Sequence, residues 1–183
     1  SFHEEDYDKL SPLGQDQARR LGKYWAEHGV TLDRAVSGPL LRQRHSAELV
    51  REEFEKAGRP FPEIVIDDAL AEMPAERLAK RFMPQLCADD AECLALVQEY
   101  MAAQDKKDKE RLFQKPFEKM MLKWATKEYH DDEIETFEYF VNRVKDSFSA
   151  ITSNNRNGQR VAAFTSGGPT AIAMHLALNT SFE

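Results

Sequence analysis

The sequence predicts an α/β protein with three layers, α/β/α, built on a mostly parallel sheet that carries an all-helical insert. Two observations predict this class. At three places a short apolar segment is followed by a turn and then by a segment with helical spacing, and strands that alternate with helices form parallel sheets. After the second strand, residues from about 75 to 130 have helical spacing almost throughout. We expect one domain, residues 1–183, that includes this insert.

The N-terminal part of the chain predicts a helix, a strand, a second helix and a second strand. Ser11, followed by proline, is typical of a helix start, and Gly29 is typical of the residue just past a helix end. The segments "DRAVSG" (33–38) and "PEIVID" (62–67) are strand candidates. The helix between them is predicted from about residue 40 to residue 57.

The rest of the chain predicts the insert and one further strand. The insert is expected to break at Pro84 and Pro116, and its methionine and aromatic side chains are interpreted as helix packing rather than as a cofactor pocket. A long helix is predicted from about residue 132 to residue 153, since apolar residues there recur every three or four positions. The strand "RVAAFT" (160–165) then leads through the turn at Ser166 into the last helix.

The composition excludes several classes of protein. The chain has 183 residues, 42% hydrophobic and 31% charged, which is usual for a globular domain. A formal charge of −7 argues against a broad surface for nucleic acid or an anionic membrane, and no apolar run is long enough to span a bilayer. Cys87 and Cys93 are too few for a disulfide framework or a zinc site. We expect a cytoplasmic protein with free thiols and with neither metal nor cofactor.

Three corners of the predicted sheet are candidates for a ligand site. They follow the predicted strands at Ser37-Gly38, after Asp67, and at Ser166-Gly167. Ligands of parallel sheets bind beyond the carboxyl ends of the strands, so we expect these corners to converge. The Ser-Gly-Gly-Pro turn at the start of the last helix points backbone N–H groups at one spot, as a phosphate site requires.

Three side chains near these corners are candidates for the chemistry. Arg42, in the first turns of a helix that follows a strand, is well placed to hold phosphate oxygens. His45 shares its face and is a candidate for lining the pocket, although a hydrogen-bonded core histidine is the commoner case. Glu72 could protonate a leaving oxygen. The residues alone favour an ordinary surface carboxylate, since the chain has 32 acidic residues.

Several motifs together resemble one protein family. The segments fall in the order seen in the histidine phosphatase superfamily, the phosphoglycerate-mutase-like proteins: "LSPLGQDQARRLGKYW", "DRAVSGPLLRQRHSAELV", "DDALAE", "ETFEYFVNRV" and "VAAFTSGGPTAIA". The most specific part is Ser-x-Pro-Leu-x-Arg followed, after four intervening residues, by alanine; it runs from Ser37 to Ala47. The resemblance extends from Ser11 to about Leu178, except for the helical insert within this range.

The resemblance implies a phosphohydrolase or mutase that works through a phosphohistidine. The phosphate-binding arginine of the family falls on Arg42, and its general acid falls on Glu72 by way of Leu70. Family members have a helical subdomain that covers the site, which fits residues 75–130. The implied partner is a phosphorylated small molecule, and hydrolysis is favoured over mutase activity.

The chain departs from the family pattern in two ways. The Arg-His-Gly motif that carries the nucleophile is absent, so the resemblance places the nucleophile upstream of Ser1 and the first and last strands outside the chain. His3 lies close to the expected site and is a weak candidate for lining it. Ser166 stands where the family has its second catalytic histidine, so it supplies a hydroxyl but no imidazolium charge. Backbone N–H groups, including that of Gly167, are expected to compensate in part.

These departures leave two functions open. One is a phosphomonoesterase; the other is a catalytically weak or inactive family member that binds a phosphorylated ligand or a protein partner. A dinucleotide-binding domain is disfavoured, because Ser-Gly-Gly-Pro is not the Gly-x-Gly-x-x-Gly pattern and opens the last helix rather than the first. The identity of the substrate and the oligomeric state are not specified by any motif.

Overall fold

The computed structural model describes residues 8–153 and 158–180. Within them the chain forms seven α-helices and three strands, in this order: α1 (Pro12–Glu27), β1 (Arg34–Ser37), α2 (Leu41–Lys56), β2 (Ile64–Ile66), α3 (Ala75–Asp89), α4 (Ala91–Ala102), α5 (Lys106–Ala125), α6 (Phe137–Ser153), β3 (Val161–Phe164) and α7 (Gly167–Leu178). A short 3-10 turn, Asp68–Leu70, follows β2. All three predicted strands are present. None of the helices in these residues is both long and apolar enough to cross a membrane.

The strands form a small parallel sheet in the order β2-β1-β3. Val36 of β1 lies opposite Val65 on one side and Ala163 on the other. All three strands run the same way, so the segments that follow them leave the sheet at one edge. The predicted α/β class with a parallel sheet is therefore confirmed.

Helices cover both faces of this sheet. Ala35 of β1 belongs to a core cluster with residues of α1, α2 and β3, among them Val50 and Phe54. The next residue, Val36, points the other way and packs with Leu70 and Ile151, the latter from α6. Successive side chains of a strand point to opposite faces, so this division places the sheet between two helical layers.

Local sequence explains how α1 begins and how closely it approaches α2. Ser11 caps the helix, since its hydroxyl accepts a hydrogen bond from the Gly14 N–H at 3.0 Å. Gly29 follows the helix with φ of +72°, a conformation that favours glycine. A Cβ on Gly22 would lie 2.8 Å from the Val50 carbonyl oxygen, so only glycine allows the two helices to pack this closely.

The chain divides into two compact units. The first comprises Ser1–Glu72 and Val141–Glu183 and contains the sheet; the second is Met73–Phe140 and contains α3, α4 and α5. The core of the second unit is built from the predicted apolar positions, with Phe82, Met120 and Trp124 all buried. These side chains pack between helices, as the sequence predicted.

The breaks predicted at Pro84 and Pro116 are wrong, because both prolines lie inside helices. Pro116 is buried in the stripe that also contains Leu112 and Met120, so burial of its ring offsets the hydrogen bond that proline cannot make. The breaks occur instead at acidic caps. Asp90 accepts hydrogen bonds from the first-turn N–H groups of α4, and Asp105 does the same for α5.

The helix predicted from about residue 132 begins later, at Phe137. The reason is a cap at Thr136, whose hydroxyl accepts a hydrogen bond from the Tyr139 N–H at 3.1 Å. Ile134 therefore lies outside the helix, and its N–H bonds to the Asp131 carbonyl instead. Apolar spacing continued upstream of the true start, which is why it predicted a longer helix.

Candidate active site

The three strand-end corners meet at the side chain of Gln43, in the first turn of α2. Gln43 is 2% exposed, and its Nε2 donates to the Leu70 carbonyl at 3.0 Å and to the Ser166 hydroxyl at 2.9 Å. A longer contact of 3.3 Å reaches the Thr165 hydroxyl. Leu70 follows β2, whereas Thr165 and Ser166 follow β3. One amide thus joins the corners that were predicted from the sequence to converge.

The orientation of the Gln43 amide is fixed by its backbone partners. Its Oε1 accepts a hydrogen bond from the Leu40 N–H at 3.1 Å, and that N–H can only donate. Its Nε2 faces the Leu70 carbonyl, which can only accept. A flipped amide would lose both bonds, so the oxygen and nitrogen positions follow from the chemistry of the partners.

Gly38 makes room for this amide. A Cβ at Gly38 would lie 2.1 Å from Gln43 Oε1 and 2.7 Å from the Leu70 carbonyl oxygen, both impossible distances. Sequence reasoning missed this pair. The available signal was the position of Gln43 four residues before Ala47, which begins the buried stripe of α2 that continues through Val50. A polar residue at such a position predicts a buried hydrogen-bonding role.

A cavity of about 320 Å³ opens at these corners. Its walls include four of the predicted site residues and four others: Arg42, Glu72, Ser166 and Gly167, with Leu10, Gln43, Ser46 and Thr165. His45 is half-buried and is not among these lining residues. His3 lies outside the described residues. The cavity therefore brings together the predicted arginine, the predicted acid and the glycine-rich turn.

The guanidinium of Arg42 contacts a carboxylate of the chain itself. Arg42 Nη1 donates to Asp8 Oδ1 at 2.9 Å, while Asp8 Oδ2 accepts from the Leu41 N–H at 2.7 Å. Asp8 thus caps α2 and pairs with Arg42 at once. A helix N-terminus beside a guanidinium favours negative charge, which here is supplied by the Asp8 carboxylate.

The side chain of Glu72 lies beside the N-terminus of α7, although the two are distant in sequence. Its Oε2 accepts a hydrogen bond from the Gly168 N–H at 3.1 Å, one of the amides expected to face a phosphate. The loop that carries Glu72 is held from α6, because Arg143 Nη1 donates to the Ala69 and Ala71 carbonyls at 2.7 and 2.8 Å. Sequence reasoning gave no role to Arg143, although it lies within the segment "ETFEYFVNRV" (135–144) that belongs to the family resemblance.

The two hydroxyls that follow β3 have different partners. Thr165 Oγ1 donates to the Leu70 carbonyl at 2.8 Å. Ser166 precedes α7 but its side chain does not cap the helix; its oxygen accepts from Gln43. The cavity therefore combines a guanidinium, a helix N-terminus, a hydroxyl and a carboxylate. That set suits a tetrahedral oxyanion and a proton donor beside it.

No metal-binding cluster occurs in residues 8–153 and 158–180: no three or more histidine, cysteine, aspartate or glutamate side chains come together there. Cys87 and Cys93 are both free thiols, and burial raises the pKa of each. Neither lines the cavity described above.

Known proteins resemble this chain in sequence pattern and in fold. The family model for the histidine phosphatase superfamily (branch 1) matches residues 3–183. No curated protein sequence matches the chain. Among solved structures, mycobacterial glucosyl-3-phosphoglycerate phosphatase has 16% identity and a TM-score of 0.57, over 96% of this chain and 72% of that one.

Two further structures show the same similarity. Phosphoglycerate mutase from Bacillus anthracis str. Sterne has 16% identity and a TM-score of 0.57, over 95% of this chain and 71% of that chain. An Escherichia coli K-12 protein, for which α-ribazole-5′-P phosphatase activity is proposed, has 17% identity and a TM-score of 0.56, over 94% and 69%. At these identities the similarity shows a shared fold.

Proposed function

The chain belongs to the histidine phosphatase superfamily, branch 1, and we propose that it is a phosphomonoesterase acting on a phosphorylated small molecule. The observation that carries the proposal is the composition of the cavity wall. Arg42, Ser166 and Gly167 line one cavity together with Glu72, so groups that hold an oxyanion lie beside a group that can carry a proton. The proposal needs no metal ion and no cofactor.

Each group has a role in this reaction. Arg42 holds two phosphoryl oxygens through its guanidinium, and Ser166 and the Gly167 N–H donate to the third. A histidine nitrogen attacks phosphorus while the bond to the leaving oxygen breaks, and Glu72 protonates that oxygen. Water then attacks the phosphohistidine and gives a proton to the Glu72 carboxylate, while the N–P bond breaks and phosphate is released. On this proposal the nucleophile precedes Ser1.

A second candidate function is a weak or inactive family member that binds a phosphorylated ligand or a protein partner. Two observations favour it. Ser166 lacks the positive charge of an imidazolium, which costs about 1–3 kcal/mol of transition-state stabilisation, roughly ten- to a hundredfold in rate. The chain's own carboxylates also occupy donors that an anion would use, since Asp8 pairs with the Arg42 guanidinium and Glu72 accepts from the Gly168 N–H.

The test is hydrolysis of an aryl phosphate by the full-length protein. Arg42→Ala is expected to lower kcat/KM by at least about a hundredfold, because charged contacts to the phosphoryl group are lost. Arg44→Ala is the matched control, because Arg44 is exposed on the same helix and does not line the cavity. The Arg44→Ala variant should hydrolyse the aryl phosphate at the rate of the parent protein.

The same assay separates the two candidates. Turnover with an acid-labile phosphoenzyme supports the phosphomonoesterase. Binding of inorganic phosphate without turnover, lost in Arg42→Ala, supports the binding protein. Two results would remove Arg42 from the site: turnover that is equal in Arg42→Ala and Arg44→Ala contradicts the phosphomonoesterase, and phosphate binding that is equal in the two variants contradicts the binding protein.

A further inference from the structure

The Ser166 hydroxyl receives a hydrogen bond that determines which way it can act. Gln43 Nε2 lies 2.9 Å from Ser166 Oγ, and an amide N–H can only donate. Ser166 Oγ is therefore the acceptor in this pair. Its single proton is left to point in another direction.

The amide cannot rotate to reverse this role. Its oxygen is held by the Leu40 N–H at 3.1 Å and its nitrogen by the Leu70 carbonyl at 3.0 Å. Gly38 has no side chain and so leaves room for the amide, which any larger residue at this position would displace. The direction in which Gln43 donates is thus fixed by backbone groups rather than by Ser166.

The neighbouring groups leave the cavity as the direction for the Ser166 proton. The competing hydroxyl, that of Thr165, already gives its own proton to the Leu70 carbonyl at 2.8 Å. Within residues 8–153 and 158–180, the only side-chain hydrogen bond of Ser166 is the one it accepts from Gln43. Ser166 also lines the cavity beside Arg42 and Gly167.

We infer that Gln43 is a positioning residue that fixes the Ser166 hydroxyl as a hydrogen-bond donor toward an oxyanion in the cavity. This inference rests on the proposed function, which places a phosphoryl group there. It assigns different tasks to adjacent hydroxyls: Thr165 ties the corners together, and Ser166 faces the ligand. Gln43 also lines the cavity, but its Nε2 donates to the Leu70 carbonyl and to Ser166, so on this inference it acts on the ligand through Ser166.

Inorganic phosphate is the probe, and its dissociation constant by calorimetry is the measurement. Ser166→Ala should weaken binding about tenfold, the usual size for a lost hydrogen bond to a charged group. Ser166→Thr keeps the hydroxyl and should bind within about twofold of the parent. Thr152→Ala removes an exposed hydroxyl of α6 that bonds to the Phe148 carbonyl and does not line the cavity, so it should change nothing.

The role of Gln43 is tested by coupling to Ser166. Gln43→Met keeps the length of the side chain but loses the donor, so it should weaken phosphate binding about as much as Ser166→Ala. When Gln43→Met is combined with Ser166→Ala, phosphate binding should be no weaker than with Ser166→Ala alone. An equal loss in both backgrounds would mean that Gln43 acts through the fold alone, which overturns the inference.

Two further measurements distinguish failure of this inference from failure of the proposed function. Neither of them requires Gln43→Met to fold. Ser166→Ala should shift the Gln43 side-chain amide signal in a ¹H–¹⁵N spectrum, whereas Thr152→Ala should not; a signal that Ser166→Ala leaves unshifted overturns the pairing. If the Ser166→Ala variant binds phosphate as tightly as the parent does, only this inference is overturned. Parent protein that binds no phosphate overturns the proposed function.

Discussion

Gln43 is a buried polar side chain whose Nε2 donates only to segments that are distant in sequence. Removing the partners of a buried amide costs about 1–3 kcal/mol for each group left unsatisfied, so its position is strongly specified. The bonds join residues 43, 70 and 166, which β1, β2 and β3 bring to one edge. The local geometry of the cavity therefore depends on a residue whose side chain, within the described residues, hydrogen-bonds to one of the predicted site residues, the phosphate-binding candidate Ser166.

At the residue scale, the sequence predicted those side chains that follow strand ends. Arg42, Glu72, Ser166 and Gly167 were all named from strand ends or from the family resemblance, and all four line one cavity. Their catalytic and phosphate-binding roles stay predictions. Asp8 was not identified, because one carboxylate among 32 acidic residues has no local pattern and its contact with Arg42 spans 34 positions.

Asp8→Asn is expected to tighten the binding of inorganic phosphate about fivefold. The variant removes a negative charge that repels the ligand and competes for Arg42, and an interaction of this size is usual for charges a few ångströms apart near a surface. An asparagine side chain can still cap α2. Calorimetry gives the dissociation constant.

Asp16→Asn is the control for this prediction. Asp16 is exposed on α1, where it pairs with Arg20 rather than with a cavity residue. Weaker phosphate binding by Asp8→Asn would contradict the prediction, because it would mean that Asp8 chiefly orients Arg42 for the ligand.

At the element scale, helix ends were predicted where a cap has a local signature and not where packing decides. Ser11 before a proline marked the start of α1 correctly. Pro84 and Pro116 were given too much weight, since a helix continues through proline when the surrounding packing compensates. The caps at Asp90 and Asp105 were available in the sequence as acidic residues just before apolar helices.

Asp90 links the start of α4 to α5. Its carboxylate accepts from the Cys93 N–H at 3.0 Å and from Lys119 Nζ at 2.8 Å. The bond from Lys119, followed by the backbone bond from Cys93, holds the pKa of Asp90 well below its usual range. A carboxyl whose pKa is lower in the folded than in the unfolded state stabilises the fold above the unfolded pKa of about 4, and this contribution is lost as pH falls below it.

Asp90→Asn is therefore expected to lower the free energy of unfolding at pH 7, and the difference from the parent should narrow as pH falls from about 5 to about 2. Urea unfolding at several pH values measures it. Asp146→Asn, an exposed residue of α6, should show no such trend. A difference that stays constant down to the lowest pH would contradict the role of the Asp90 charge.

At the scale of the whole molecule, the fold class followed from the alternation of strands with helices, and the three parallel strands explain why distant corners share a site. The order β2-β1-β3 was not readable from the sequence, because pairing partners depend on tertiary packing. The helical content of Met73–Phe140 was predicted, whereas its division into α3, α4 and α5 was not.

The central claim is that the corners held by Gln43 form one oxyanion site. A crystal structure of the protein soaked with tungstate, an electron-dense tetrahedral oxyanion, tests this most directly. The account predicts tungstate in the cavity of about 320 Å³, within hydrogen-bond distance of the Arg42 guanidinium and the Ser166 hydroxyl. Tungstate bound elsewhere on the protein, with this cavity holding none, would contradict the account.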